Sequence, residues 1–363
     1  MVICFECSLE TKQLIDHMVE RGAYRDVSQL LAVAVSNMAV LHNEIAAKGS
    51  MVIGSSGMAP SRPRAQPVIS DPPGSSTSNA GQRIEIPALF SLNGLTEKPS
   101  ALARVDREES RRGQPVTLDR WLFGQFNKFL PAKVNCRALA RMLCNEPDGV
   151  ALNRAGAEIA EEAAMLGDYL RKLDKRNDRG RDDAYAVAFP ETGTEGQKGR
   201  VRYANHFVGS SNKDGVVMGL LADLKLIARA AGKDTRVTLT EPGWDFARLK
   251  NPVLDSSAGK LSSEEMAFLL EHIKENVPAE AFAYKAILEA VVNGANVPER
   301  LDDALKKYAV SATAKELSPA FLSTQRSGAV ARMLDLGLIE RQRNGIRVTY
   351  LPTASGKAFL TQF

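Results

Sequence analysis

The chain of 363 residues has few cysteines, no long apolar run and almost no excess of charge. No apolar run reaches the ~18 residues needed to cross a bilayer, and the first residues lack the basic region and apolar stretch of a signal peptide. The formal net charge is only +4, so any nucleic-acid-binding surface has to come from local clustering. These absences predict a cytoplasmic protein with no membrane partner.

Only four cysteines are present, and in a chain without a signal peptide we expect them to be reduced. Cys4 and Cys7 have a C-x2-C spacing that zinc sites use. Their segment alternates like a strand, however, and residues three apart on a strand point to opposite faces. Buried thiols are the favoured interpretation, with zinc as the alternative.

Motifs of catalysis are also missing. The sequence contains no Walker-type phosphate loop, no G-x-G-x-x-G after a predicted strand and no G-x-S-x-G elbow. The adjacent carboxylates Asp182 and Asp183 do not converge on a helix, so we expect a solvated face there. The four histidines have no spaced metal-ligand partners. We therefore expect no enzyme, no cofactor and no metal.

The first 48 residues have the pattern of a strand followed by two helices. An alternating segment precedes Ser8, which is a good N-cap, and the first helix ends at Gly22. Apolar residues then recur at helical spacing from Val27 to Ile45. One strand and two helices cannot bury this much apolar surface alone, which favours a dimer.

The run containing LETKQLIDHMVERGAYRDVSQLL resembles a ribbon-helix-helix domain. The resemblance implies a homodimer formed through residues 1–48. In that family the outward strand residues read bases, and here those residues are Cys4 and Glu6, of which Glu6 is an anion. Dimerisation is the favoured role, and direct DNA reading stays open as an alternative.

A segment rich in glycine, serine and proline follows at 49–83 and predicts a linker. Residues 84–117 are ambiguous. From 118 onward the apolar spacing predicts mainly helices, interrupted by one strand pair with a glycine-rich turn. The predicted helices cover 121–130, 137–144, 153–173, 213–226, 262–276, 280–293 and 298–308, and the strands 185–189 and 200–206.

Two segments of the chain, 222–246 and 334–359, resemble each other. Both contain D-L-x-L-I-x-R, then a polar turn, then R-V-T and a closing T-x-x-G-x-x-F. Each copy predicts a helix that leads into a β-hairpin. In the second copy Asn344-Gly345 is a strong signal for the hairpin turn.

The order G-L-I-x-R, turn, R-V-T-Y, T-x-x-G resembles the winged helix-turn-helix family of bacterial repressors, well over 318–360 and fairly well over 210–249. The resemblance implies a recognition helix at 323–336 that enters the major groove, and a hairpin wing that touches the DNA backbone. Glutamine and arginine suit base edges, whereas hydroxyl groups and wing arginines suit phosphates. The DNA-contacting residues it implies are Ser323, Thr324, Gln325, Arg326, Ser327, Arg332, Arg341, Arg343 and Arg347, and in the first copy Ser211, Asn212, Lys213 and Lys233.

The predicted fold is mainly α with small β-hairpin wings. It comprises a dimerisation module at 1–48, a linker and ambiguous segment at 49–117, and winged-helix domains at 118–255 and 256–363. The predicted function is sequence-specific binding of double-stranded DNA, in transcriptional control or in organising a replication, partition or defence locus. The alternative is a non-enzymatic structural subunit of a nucleoprotein or defence complex, whose winged helices bind protein partners.

Overall fold

The chain divides into two units, Met1–Asn79 and Ala80–Phe363. In the first unit the computed structural model describes three exposed helical residues, Lys12, Gln13 and Asp16, which lie in the helix predicted after Ser8. The rest of the predicted dimerisation module and the predicted linker lie outside the described residues. In the second unit the described residues are 86–95, 97–99, 102–105, 118–180, 182–231, 234–256, 259–308, 317–345 and 347–362.

The second unit is mainly helical with small antiparallel sheets, as the sequence predicts. Its α-helices are α1 (Leu130–Asn145), α2 (Leu152–Arg176), α3 (Gln197–Tyr203), α4 (Leu220–Asp223), α5 (Glu241–Arg248), α6 (Pro252–Asp255), α7 (Ser263–Asn276), α8 (Pro278–Val292), α9 (Pro298–Leu305), α10 (Pro319–Asp335) and α11 (Ala354–Leu360). A π-helical turn, Ala204–Val208, continues α3. Single 3-10 turns lie at Ala88–Phe90, Leu118–Arg120, Ala186–Ala188 and Lys306–Tyr308.

The strands form three small sheets in the described part of the chain. They are β1 (Val150–Ala151), β2 (Ser210–Ser211), β3 (Val217–Met218), β4 (Ile227–Ala230), β5 (Arg236–Leu239), β6 (Ile339–Asn344) and β7 (Arg347–Pro352). One sheet has the order β1-β5-β4, with both pairs antiparallel. The other two are the hairpins β2–β3 and β6–β7. A further backbone contact, from the Tyr350 amide to the Asn296 carbonyl (2.8 Å), ties β7 to the segment between α8 and α9.

Four predicted elements are wrong, and three of them lie between residues 185 and 226. The predicted strand 200–206 is helical, because Tyr203 and Phe207 lie on one face and stack with ring centroids 5.2 Å apart. Its predicted partner at 185–189 contains only a 3-10 turn. The predicted helix 213–226 is reduced to α4, because Gly215 (φ 75°) and Gly219 (φ 118°) adopt left-handed conformations that stop a helix.

The predicted helix at 121–130 is also wrong, since an irregular segment leads from 118–120 to the start of α1 at Leu130. Tertiary contacts replace its helical hydrogen bonds. The Leu122 amide donates to the Glu280 carboxylate (3.0 Å), and the Gly124 amide donates to the Gln325 side chain (2.5 Å). The helices predicted at 153–173, 262–276, 280–293 and 298–308 are confirmed with small shifts at their ends.

The internal repeat is confirmed as a repeat of local structure. In each copy a residue with positive φ, Lys225 (57°) or Gly337 (66°), ends a helix and starts a hairpin. The following leucine amide donates to a carbonyl five residues earlier, Leu226 to Leu221 (2.8 Å) and Leu338 to Met333 (2.9 Å). The left-handed residue is thus needed in both copies, although only the second uses glycine.

The threonine that closes each copy caps the next helix. The Thr240 hydroxyl accepts from the Gly243 amide (3.2 Å), and the Thr353 hydroxyl accepts from the Gly356 amide (2.9 Å). A Cβ on either glycine would overlap the carbonyl oxygen of the leucine that precedes the hairpin. The T-x-x-G motif is therefore fixed by packing, and it recurs because the two helices dock in the same way.

Buried ion pairs connect the helices of this unit. Lys133 and Glu265 are both fully buried, with Nζ 3.1 Å from the carboxylate. Burial, opposed mainly by Glu265, lowers the pKa of Lys133 to about 8. A second pair, Arg332 and Glu280, is equally buried at 2.7 Å. Such pairs are costly to break because the remaining charge has no water around it.

Candidate nucleic-acid interface

The predicted wing forms a two-stranded hairpin after α10. β6 and β7 pair in register up to Asn344 and Arg347. The tip residues Asn344 and Gly345 are exposed, and Gly345 has a φ of 60° that suits a tight turn. The predicted β-hairpin is therefore confirmed as local structure, with its tip facing solvent.

The wing arginines meet a carboxylate from the first half of the unit. Arg341 Nη1 lies 2.8 Å from Asp182 Oδ1, and Arg343 Nη2 pairs with the other carboxylate oxygen. Burial raises the pKa of Asp182, but the two guanidinium groups outweigh it and lower the pKa below its usual value. The Arg343 side chain is still 54% exposed. Arg347 is exposed and has no ion pair within the described residues.

A basic helix end precedes the loop that carries Asp182. At the last turns of α2 the side chains of Lys172, Lys175 and Arg176 are exposed. The loop after α2 folds back on it, because the buried Asp174 carboxylate accepts from the backbone amides of Tyr185 (2.9 Å) and Ala186 (3.0 Å). The same loop carries Asp182, so it joins the basic end of α2 to the wing.

The side chains expected to read bases are buried. Gln325 is 2% and Arg326 7% exposed, so neither has the exposed side chain that reading a base edge requires. Arg326 binds both carboxylate oxygens of Asp302, at 2.9 and 3.0 Å. Arg332 is fully buried on Glu280 and donates to the Phe126 carbonyl (2.7 Å). Because these polar residues alternate with apolar ones, the sequence did not indicate that they are buried.

The cover over α10 comes from the irregular segment before α1. Gly124 and Gly328 approach so closely that a Cβ on either would overlap the other backbone. The Gln325 side chain accepts from the Gly124 amide instead of pointing outward. A face of α10 that the family resemblance assigns to the major groove is therefore covered by the protein itself.

The hydroxyl residues of α10 lie nearer the surface. Thr324 and Ser327 are exposed and Ser323 is half-buried, and all three line a cleft. The Thr324 hydroxyl donates to the Ala320 carbonyl (2.8 Å), and Ser323 accepts from Arg326 (3.0 Å). These three residues therefore lie at the rim of the cleft and not on the hairpin that carries the arginines.

The predicted residues of the first copy lie on a different element from the one expected. Ser211, Asn212 and Lys213 form the β2–β3 hairpin and its turn, where the Asn212 side chain accepts from the Val216 amide (2.9 Å). They therefore do not open a recognition helix. Lys213 is exposed. Lys233 lies outside the described residues.

Within the described residues no group of three or more His, Cys, Asp or Glu side chains could hold a metal ion. Cys136 is buried, which raises its pKa to about 12. None of the helices in the described ranges is both long and apolar enough to span a bilayer. Cys4 and Cys7, the alternative zinc pair, lie outside these ranges.

Comparison with known proteins gives no relative for this chain. No protein-family model matches it, and no curated protein or solved structure is significantly similar to it.

The sequence reasoning missed Asp182. Its neighbour Asp183 is exposed as expected for a solvated face, but Asp182 bridges Arg341 and Arg343. The contact joins residues far apart in the chain, so no local pattern signals it. The sequence shows only an excess of basic over acidic residues in 171–183. This excess indicates a basic end of α2 and does not indicate that Asp182 pairs with arginines.

Proposed function

We propose that this chain is a non-enzymatic double-stranded DNA-binding protein of the tandem winged-helix kind. In this proposal the C-terminal wing and the basic end of α2 hold the phosphate backbone. The observation that carries it is the hairpin with three arginines, Arg341, Arg343 and Arg347, which Asp182 links to the loop that follows the exposed cations of α2. Arginine on a protruding hairpin suits phosphate oxygens, which carry no sequence information.

Base reading by α10 is not part of this proposal. Gln325, Arg326 and Arg332 are buried and hydrogen-bonded inside the protein. Exposing them would break the contacts that hold the segment before α1. The proposal therefore expects affinity dominated by phosphate contacts, with a steep dependence on salt and a weak dependence on sequence.

The test is fluorescence anisotropy with labelled duplexes of two unrelated sequences. The double variant Arg343→Ala/Arg347→Ala should weaken binding to both duplexes by similar factors. Lys98→Ala is the matched control, since Lys98 is exposed and pairs with Glu241 away from the wing. A loss equal in the control and the double variant would contradict the assignment of the surface.

A second candidate function is an interaction subunit that binds protein. It is favoured by the exposed apolar side chains of β3 and the turn before it, Val216 (55% exposed) and Met218 (44% exposed). The burial of the α10 face supports it as well. Wild-type protein without any salt-dependent DNA binding would favour this candidate over the first.

A further inference from the structure

A cleft of about 570 Å³ lies between the irregular segment before α1, residues 187–190, α3 and α10. Its walls come from α3 and its π-helical continuation, from residues 124–127, and from the N-terminal half of α10. Small-molecule sites in proteins have volumes of about 300–1,000 Å³ and combine apolar walls with a few polar groups. The cleft has both features.

The polar groups of the cleft favour an anion. No Asp or Glu occurs among its described lining residues. Arg202 is exposed, and its guanidinium donates to the neutral Gln125 side chain rather than to a carboxylate. The Ser327 hydroxyl and the Asn127 side-chain amide have no hydrogen-bond partner among the described residues. The cleft therefore offers one cation, Arg202, and two polar groups, Ser327 and Asn127, and no carboxylate among its described lining residues neutralises the cation.

His206 adds a neutral polar group to the same rim. Burial, reinforced by the nearby charge of Arg202, lowers the pKa of His206 below its ordinary value. Its ring is therefore neutral at pH 7 and can donate or accept a hydrogen bond. The ring stacks on Phe123 with centroids 6.5 Å apart, which fixes its orientation.

The apolar wall of the cleft offers a surface on which a planar ring can pack. Val187 is 45% exposed on the wall, and Phe207 is half-buried beside it. Phe207 is held between Tyr203 and Phe126, with centroids 5.2 and 5.9 Å away. An aromatic ring placed here would contact apolar surface while a charged group reached Arg202.

We propose that this cleft binds a nucleotide, with its phosphate on Arg202 and its base against Val187 and Phe207. The hydroxyl of Ser327 and the amide of Asn127 provide hydrogen bonds to the sugar or the base edge. The nucleotide is either free in solution or the end of a single strand, since both offer the same chemistry. This site is separate from the wing and does not depend on duplex binding.

Isothermal titration calorimetry with adenosine monophosphate tests the proposal. The wild-type full chain should bind it at a single site, and Arg202→Ala should weaken binding about ten- to hundredfold, as expected for hydrogen bonds to a charged group. Lys198→Ala is the matched control, because Lys198 is exposed on the same helix but does not line the cleft. Adenosine without phosphate should bind more weakly than the monophosphate.

Val187→Glu provides a second variant at an exposed position, and it should abolish binding while the melting temperature stays unchanged. A short oligothymidylate distinguishes the two sources: tighter, Arg202-dependent binding of the strand indicates a strand end, and equal binding indicates the free nucleotide. The proposal is overturned if adenosine monophosphate does not bind wild-type protein at millimolar concentration, or if Arg202→Ala and Val187→Glu both bind it like wild type.

Discussion

Replacing Arg332 by methionine should strongly destabilise the second unit. The Arg332 guanidinium bonds to Glu280 (2.7 Å) and donates to carbonyls of the irregular segment, including Phe126 (2.7 Å). Both charged side chains are fully buried. Methionine fills most of the volume but leaves a buried carboxylate and unpaired carbonyls, which costs about 3–5 kcal/mol.

Urea unfolding followed by tryptophan fluorescence measures this loss, because Trp121 is buried next to the segment that Arg332 holds. Arg347→Met is the control, since it changes the same residue type at an exposed position and should cost less than about 0.5 kcal/mol. Adding Glu280→Gln to Arg332→Met should recover much of the loss, because the glutamine oxygen still accepts from the Leu122 amide. A loss below about 1 kcal/mol for Arg332→Met would refute the buried pair and reopen α10 as a base-reading helix.

The remaining predictions concern pH, packing and affinity. Burial, opposed by Lys225, raises the pKa of Asp223 to about 6 from its usual value near 4, so its charged form is disfavoured in the fold. The contribution of Asp223 to stability should therefore fall as pH rises from 4 to 6. Asp223→Asn should raise the free energy of unfolding at pH 8 by at most about 3 kcal/mol and leave it unchanged at pH 4; an equal effect at both pH values would contradict this. Gly356→Ala should cost about 1–3 kcal/mol in denaturant unfolding because its Cβ has no room, whereas Gly180→Ala, with open space, should change stability by less than about 0.5 kcal/mol. Asp182→Asn should strengthen duplex binding severalfold in an anisotropy titration, with little change in melting temperature; weaker binding would show that Asp182 positions the arginines instead of competing with phosphate.

Local structure was predictable wherever the sequence contains its own start and stop signals. Ser262 with Glu265 forms the capping box of α7, and the β6–β7 turn falls directly after Asn344, which pairs with Arg347. The repeat was also visible, because Thr240 and Thr353 perform the same capping in both copies. These features depend on residues close together in the chain.

The burial of the polar side chains of α10 could not be predicted in the same way. Arg326 and Arg332 have the residue type expected for DNA contact, but their partners Asp302 and Glu280 lie on other helices. The irregular segment around Gly124 hydrogen-bonds to Glu280 on α8 and to Gln325 on α10. Burial of this kind depends on tertiary packing, which spacing in one sequence does not reveal.

The salt dependence of duplex binding tests the central claim most directly. Anisotropy titrations of the wild-type chain at several salt concentrations should give a steep linear fall of log affinity with log salt. Arg343→Ala and Arg347→Ala should each reduce the slope by about 0.9, the value expected for one lost phosphate contact, on any duplex sequence. Wild-type protein that shows no salt-dependent binding, or a slope that neither variant changes, would contradict the claim that the C-terminal wing holds DNA.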